Sequence, residues 1–242
     1  PKARLSFVGM NQPMALQTTT TPLSISFASI NVSAPLSNTT NAIATVSPYP
    51  ITISISEDVT VDGLAVLSTS SGGTTILNVT GNIRSTNCGA DNVVRANGPI
   101  AIYAHDFITI QPGVIVLYAP LVGASINITT TGDFLIYRDP NGPTGTSEAI
   151  RIATNGNFFT IGGTFNVTGY SCSNLAGPAI LASPSSSLTI TASTAIVFER
   201  NASPNNNNAG AVLLDLNSQL ALNAPLILFR GNSALAGGAL GL

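Results

Sequence analysis

His105 is the only histidine of the chain and stands next to Asp106, which makes this pair the first candidate for general acid–base catalysis. Enzymes that cleave glycans need several carboxylates on one face, with a base held in position by a partner. The 10 acidic residues are instead scattered along the chain. Because neighbours in a strand point to opposite faces, we do not expect His105 and Asp106 to work as a pair. The sequence predicts an exposed turn here and no catalytic residue.

Phosphate and metal sites find no better support in the residue pattern. The glycine pairs Gly72-Gly73 and Gly162-Gly163 do not open a helix, so they are not phosphate-binding loops. A calcium loop needs several carboxylates, and only Asp58 and Asp62, close to Glu57, approach that density. We interpret this stretch as the solvated end of a strand. The sequence therefore predicts neither a metal ion nor a cofactor.

Two cysteines, Cys88 and Cys172, lie in polar, turn-like stretches. Two are too few for a disulfide framework, and their spacing matches no metal site. Counting repeats places them two or three coils apart, which is roughly 10 to 14 Å along the axis at about 4.8 Å per coil. A disulfide needs Cα atoms within about 7 Å. We therefore predict no bridge, although long loops could close the gap.

Asparagine sequons offer the clearest modification chemistry. An acceptor Asn-x-Ser/Thr sequence begins at Asn31, Asn38, Asn78, Asn127, Asn166 and Asn201. Their number alone is no evidence in a chain this rich in Asn, Ser and Thr. At Asn78, Asn127 and Asn166 the apolar neighbours face inward in a strand, so the asparagines face outward. If the source glycosylates, we predict sugar on these three, with Asn31 and Asn38 as further candidates, and none on Asn201.

The elements that must position these residues are indicated by composition. Only 7% of residues are charged, against about a quarter in ordinary globular proteins. Since 44% are hydrophobic, the chain can nevertheless bury a core. A surface of Ser, Thr, Asn and Gly is typical of extracellular or cell-surface proteins. The first residues contain no apolar signal segment, so any signal is already removed or the chain is a fragment.

Charge and hydropathy also exclude two classes of partner. A net charge of −2 with eight basic residues leaves little to neutralise a phosphate backbone, so nucleic-acid binding is not expected. No stretch reaches the roughly 18 to 20 continuous apolar residues of a membrane-spanning helix. The partners that remain are another copy of the chain or a cell-surface or carbohydrate ligand.

Short alternation of apolar and small polar residues is the dominant pattern, and it is the signal of half-buried strands. Turn signals, such as Asn97-Gly98-Pro99 and Gly162-Gly163, separate the runs. The pattern predicts an all-β protein. The clearest runs are 51–55, 59–61, 76–79, 107–110, 126–128, 188–190 and 220–222.

Internal repeats decide between the all-β architectures. The chain aligns with itself at the anchors 176–180, 209–212 and 237–240, and each unit carries three short strands. Three strands in about 25 to 33 residues are one rung of a parallel β-helix, whose rungs stack to share a core. A propeller blade needs about 40 residues or more and four strands. We therefore predict a right-handed parallel β-helix over residues 51–242, open to continuing beyond residue 242.

The last quarter of the chain, residues 176–242, carries paired Phe-x-x-Asn and Gly-Gly-Ala-Leu motifs. They resemble the repeats of the chlamydial polymorphic membrane proteins and related β-helical surface proteins. The resemblance implies a secreted or surface-displayed adhesin without catalysis. On physical grounds we expect the phenylalanines to fill the bore and the asparagines, at turns, to stack into a ladder. The motif residues are Phe198, Asn201, Phe229, Asn232, Gly237 and Gly238.

The two ends predict how the molecule assembles. Residues 1–50 lack a clear rung pattern and are interpreted as an N-terminal cap or an extended arm. Residues 237–242 begin a new rung, whose edge either a longer chain or a neighbouring subunit would cover. The sequence thus predicts an extracellular structural or adhesive β-helix glycoprotein that can assemble head to tail into a filament. The alternative is a carbohydrate-binding or polysaccharide-cleaving β-helix.

Overall fold

A computed structural model describes residues 3–8, 14–33, 43–62, 67–86, 93–110, 115–139, 148–170, 178–203, 209–235 and 238–241. These residues form strands joined by turns, and no helix occurs among them, so the all-β prediction is confirmed. The strands are β1 (Leu5–Val8), β2 (Met14–Gln17), β3 (Leu23–Phe27), β4 (Ile30–Ser33), β5 (Ile43–Ser47), β6 (Ile51–Ile55), β7 (Val59–Asp62), β8 (Leu67–Gly72), β9 (Thr75–Val79), β10 (Ile83–Thr86), β11 (Val94–Ala96), β12 (Ile100–Ala104), β13 (Phe107–Ile110), β14 (Leu117–Ala119), β15 (Ser125–Thr130), β16 (Phe134–Tyr137), β17 (Ile150–Ile152), β18 (Asn157–Thr168), β19 (Ile180–Ala182), β20 (Ser187–Glu199), β21 (Ala202–Ser203), β22 (Val212–Leu214), β23 (Gln219–Asn223), β24 (Ile227–Arg230), β25 (Ser233–Ala234) and β26 (Leu240–Gly241).

Successive strands build three faces of a coil, and each face is a stack of parallel strands. Face I contains β1, β4, β7, β10, β13, β16, the second halves of β18 and β20, and β24. Face II contains β2, β5, β8, β11, β14, β17, β19, β22 and β26. Face III contains β3, β6, β9, β12, β15, the first halves of β18 and β20, and β23. The chain passes through faces II, III and I in turn, so the predicted parallel β-solenoid is confirmed.

The anchors of the sequence repeat lie directly over one another. Ile180 pairs with Val212, and Val212 pairs with Leu240, all on face II. Within each strand, burial alternates as the sequence pattern predicts, so that Ile51, Ile53 and Ile55 of β6 are buried while the residues between them are partly exposed. The apolar positions of all coils thereby share one continuous core.

Phenylalanines of face I form a stack inside the solenoid. The ring centroids of Phe107 and Phe134 are 5.1 Å apart, and those of Phe134 and Phe165 are 4.8 Å apart, with nearly parallel planes. Phe198 continues the stack at a tilt, and Phe229 lies 5.0 Å beyond it. The expectation that these side chains point inward agrees with a Phe198 that is completely buried.

One predicted turn proves to be the interior of a strand. Gly162-Gly163 lies within β18, where the strand bends from face III to face I and its register shifts. A side chain at Gly162 would collide with the Thr130 hydroxyl of the preceding coil. The glycine pair therefore lets a continuous strand turn a corner, rather than ending it.

The connections between faces differ in length. Within one coil, equivalent positions of a face III strand and the face I strand that follows it are seven or eight residues apart, as Ile100 and Phe107 are. From face I to face II the separation ranges from eight residues, between Val59 and Leu67, to sixteen, between Phe134 and Ile150. The variable coil length of the sequence repeat therefore arises at one edge of the solenoid.

The described strands among the first 50 residues belong to the same three faces. Strand β1 pairs with β4, β2 with β5, and β3 with β6, all in parallel. No change in pairing marks the boundary between residues 50 and 51 that the sequence suggested. Strands β1, β2 and β3 form the first described coil of the stack, and the division at residue 50 stays a prediction.

Candidate functional site

Three aspartates share one position in different coils, immediately before a face I strand. Asp58 precedes β7, Asp106 precedes β13, and Asp133 precedes β16. Asp106 and Asp133 belong to successive coils, since β13 pairs with β16, whereas the coil between Asp58 and Asp106 carries Asn82. The fold thus gathers carboxylates that are scattered in the sequence. We call Asp58, Asp106 and Asp133 the acidic corner.

Each carboxylate of the acidic corner accepts a hydrogen bond from a backbone N–H group of a following coil. Oδ1 of Asp58 accepts a hydrogen bond from the Asn82 amide at 2.7 Å, and Oδ1 of Asp106 accepts one from the Asp133 amide at 2.8 Å. Oδ1 of Asp133 accepts one from the Thr164 amide, also at 2.8 Å. Hydrogen bonds to charged acceptors are the stronger kind. The acidic corner therefore fastens one coil to the next.

His105 contacts Asp106, contrary to the sequence-based expectation. Its Nδ1 lies 3.3 Å from Oδ1 of Asp106, because the two residues form a bend and not a strand, so the rule of opposite faces does not apply. The imidazole is 59% exposed and the carboxylate 21%. The Asp106 oxygen that faces His105 is the one already bonded to the next coil. His105 and Asp106 are thus in contact, but the Asp106 carboxylate also holds the next coil through its hydrogen bond.

A shallow groove of about 240 Å³ lies beside this bend on face III. Tyr103 and His105 are its titratable groups, and the other lining side chains are small or apolar. No aspartate of the acidic corner lines it. The groove offers an aromatic ring and hydroxyls but no carboxylate pair, which acid–base cleavage of a glycosidic bond requires. The lining residues are Val79, Thr80, Tyr103, Ala104, His105, Thr129 and Thr131.

We expect Asp106→Ala to lower the free energy of unfolding by about 2 kcal/mol, since it removes a charged acceptor from a backbone amide. Asp106→Asn should retain most of the stability because an amide oxygen can take the same bond. His105→Ala, at an exposed position, should change the stability by less than about 0.5 kcal/mol. Urea denaturation followed by circular dichroism measures all three. Equal losses in Asp106→Asn and Asp106→Ala would contradict the structural role.

Asn201 and Asn232 stack at the corner where the chain leaves face I. The Asn201 side-chain amide donates to Oδ1 of Asn232 at 3.0 Å and to the Val167 carbonyl at 2.9 Å. Its Oδ1 accepts from the Tyr170 amide at 3.0 Å. Asn232 repeats the pattern by donating to the Phe198 carbonyl at 2.8 Å. The two side chains therefore connect three coils.

The left-handed backbone conformation at this corner is adopted by the residue that precedes each asparagine. Arg200 has a φ of 53° and Gly231 a φ of 63°, and each directly precedes an asparagine of the ladder. Asn201 itself is fully buried and uses both side-chain polar atoms. A glycan cannot be attached to it without breaking this network. Gly238 accepts a hydrogen bond from Gly210 at the next corner, whereas Gly237 lies outside the described residues.

Four of the sequon asparagines lie on the outer surface. Asn31 and Asn166 are on face I, and Asn78 and Asn127 are on face III, each at an outward position of its strand. Asn31 and Asn127 are exposed, and Oδ1 of Asn166 accepts a hydrogen bond from the Thr168 hydroxyl. The fifth candidate, Asn38, lies outside the described residues, as do Cys88 and Cys172.

One charged cluster outside the acidic corner is a surface ion-pair network. Glu199 contacts Arg230 at 2.6 Å, one coil away, and Arg200 at 3.2 Å. The hydrogen bond and charge of Arg230 lower the pKa of Glu199, against a smaller desolvation effect, and Glu199 raises the pKa of Arg230. Glu199 and Arg230 therefore stay ionised around neutral pH, and their contact links adjacent coils.

Among the described ranges, no three His, Cys, Asp or Glu side chains cluster as a metal site would require. The same part of the chain contains no helix long and apolar enough to cross a bilayer.

No protein-family model, no curated protein and no solved structure matches the chain. The resemblance of its repeats to β-helical surface proteins therefore stays a prediction from the motifs.

Proposed function

We propose that this chain is an extracellular structural and adhesive β-solenoid that acts through its surfaces and not through catalysis. The observation that carries the proposal is the engagement of the acidic corner. Asp58, Asp106 and Asp133 converge, as an active site requires, but each accepts a backbone hydrogen bond from the next coil. The polar chemistry of the chain is thus directed to holding coils together.

The faces support a role in surface contact. Outward positions of the sheets carry Ser, Thr and Asn, as in β3 and β6, with few charges. Long, flat arrays of uncharged hydrogen-bonding groups suit extended contact with polymers or other surfaces better than capture of a small molecule in a pocket. Sugar on the outward sequons would add to the same surface.

The C-terminal end of the stack supports the head-to-tail form of the proposal. Ile196 and Val212 are fully buried, whereas the residues paired with them in the last described coil, Ile227 and Leu240, are 40% and 45% exposed. Apolar side chains exposed on this coil can be covered by a further coil in parallel register, supplied by more of the same chain or by a second copy. We propose that the coil of β1, β2 and β3 from a second copy pairs there, face upon face, and builds a filament.

Ile227→Lys should abolish this association, because a charge at the junction cannot be buried between two coil edges. The full chain should then sediment as a monomer at concentrations where the unchanged protein forms larger species. Ile110→Lys is the matched control, since Ile110 is also 40% exposed but lies on the side of face I. If both variants sediment like the unchanged protein, the end-to-end contact does not exist.

The competing function is polysaccharide binding or cleavage, favoured by the groove beside Tyr103 and His105. We expect the protein to release no new reducing ends or unsaturated products from pectic, glucan or glucosamine-containing polysaccharides between pH 4 and 9. Release that His105→Ala or Asp106→Asn removes, with the fold intact, would overturn the non-catalytic proposal.

A further inference from the structure

From β11 to β22, each face II strand carries one outward side chain, and these form a row along the solenoid axis. Three consecutive members are Arg95, Tyr118 and Arg151, because Arg95 pairs with Tyr118 and Tyr118 pairs with Arg151. In the strand register, Ser68 pairs with Arg95 on the preceding side and Leu181 pairs with Arg151 on the following side. We call the three residues the arginine row.

The tyrosine holds a guanidinium beside it. The Arg95 guanidinium carbon lies 5.7 Å from the centroid of the Tyr118 ring, within range of a cation–π contact. Both arginines are exposed and Tyr118 is half-buried. With coils about 4.8 Å apart, the two arginine Cα atoms are roughly 10 Å from each other on either side of the ring. The Tyr118 ring therefore restrains the Arg95 guanidinium, which loses less freedom when it binds, and the strand register places Arg151 in line with it along the axis.

The positive charge of the arginine row is not neutralised within the described part of the chain. The ion pairs found there use Arg4, Arg200 and Arg230, on other parts of the surface. Glu148, three residues before Arg151, is itself buried at 7% exposure and forms none of these pairs. Two of only eight basic residues thus lie close together without a counter-charge, and like charges this close favour an anion between them.

We propose that the arginine row binds an anionic polysaccharide, through the sulfate or carboxylate groups of successive sugar units. Guanidinium groups bind both oxyanions in a bidentate way, and two of them in line along the axis suit a polymer with repeated charges. An open face with three residues cannot enclose a small anion, so affinity must come from repetition. The net charge of −2 argues against nucleic acid as the polymer. The inference rests on the proposed adhesive function and names its ligand class.

The test uses the full chain and three immobilised probes, namely dextran sulfate, polygalacturonate and unmodified dextran. We expect binding to at least one charged probe, none to unmodified dextran, and weakening with salt. Preference between the two charged probes distinguishes a sulfate from a carboxylate ligand. Replacing both arginines with glutamine, Arg95→Gln with Arg151→Gln, should weaken binding by about ten-fold or more, which corresponds to about 1.4 kcal/mol.

Two further variants make the result specific to the arginine row. Arg84→Gln with Arg4→Gln removes the same charge from exposed positions elsewhere and should bind like the unchanged chain. Arg95→Lys keeps the charge but loses the bidentate fork, so an intermediate affinity is expected. Equal weakening in the control double variant, or no binding of either charged probe by the unchanged chain, overturns the proposal. Sedimentation of the same samples reports end-to-end assembly independently, so failure of the arginine row is distinguishable from failure of the structural function.

Discussion

Replacing Phe134 with alanine is expected to destabilise the protein by about 4 kcal/mol, the largest effect of any single change considered. Cavities left by buried aromatic residues cost about 3 to 5 kcal/mol. Phe134 is 1% exposed, stacks on both Phe107 and Phe165, and meets Phe158 edge-on, so three ring contacts are lost with it. For a chain of this size the loss corresponds to a fall in Tm of about 10 °C.

The solenoid gives this substitution a second signature. Each coil contacts only the coils on either side of it, so a cavity at Phe134 weakens the packing that connects the Phe107 coil to the Phe165 coil. We expect the thermal unfolding transition, followed by calorimetry, to broaden or split. Phe159→Ala is the matched control, because Phe159 faces outward from β18 and is only half-buried. Losses of similar size in the two variants would show that the stack adds nothing to ordinary burial.

Asn201→Ala should cost about 3 kcal/mol, although it removes few atoms. The substitution deprives the Tyr170 amide of its acceptor and the Val167 carbonyl of its donor, in a site with no exposure. Each buried polar group that loses its partner costs about 1 to 3 kcal/mol. Chemical denaturation monitored by circular dichroism measures the change.

Asn201→Asp separates hydrogen bonding from packing at the same position. A carboxylate keeps the acceptor for Tyr170 but cannot donate to the Val167 carbonyl, and a charge is buried. We therefore expect Asn201→Asp to be at least as destabilising as Asn201→Ala near neutral pH, and to recover partly in acid when the carboxyl can donate. Asn127→Ala, at an exposed position of β15, serves as the control and should change little. A mild effect of Asn201→Ala would mean that the ladder is dispensable.

The strands and their stacking could be predicted from sequence because they follow local rules. Alternation in runs such as 51–55 fixes which side chains face inward, and the repeated anchors fix which runs stack. The ladder of Asn201 and Asn232 follows from the same repeat, since each asparagine stands three residues after a phenylalanine, Phe198 or Phe229. A motif that recurs in successive coils can be recognised in the sequence alone.

The acidic corner and the arginine row were not visible for the converse reason. Arg95, Tyr118 and Arg151 are unequally spaced in the sequence, because the coils between them differ in length. Only the strand register brings them into line. The contact of His105 with Asp106 was missed because the rule for neighbouring strand residues was applied to a bend. Each miss concerns a corner or a cross-coil pairing, which depends on the length of connections and not on local pattern.

The concentration of length differences between face I and face II has a consequence for how such a protein can change. Residues added between Asp139 and Glu148 lie outside the paired strands on either side, whose register is set by their neighbours in adjacent coils. Insertions and substitutions can therefore accumulate in the connections between face I and face II, while the strands and the buried core tolerate little change. For the same reason these connections are the natural positions at which to graft a foreign epitope or a fluorescent domain.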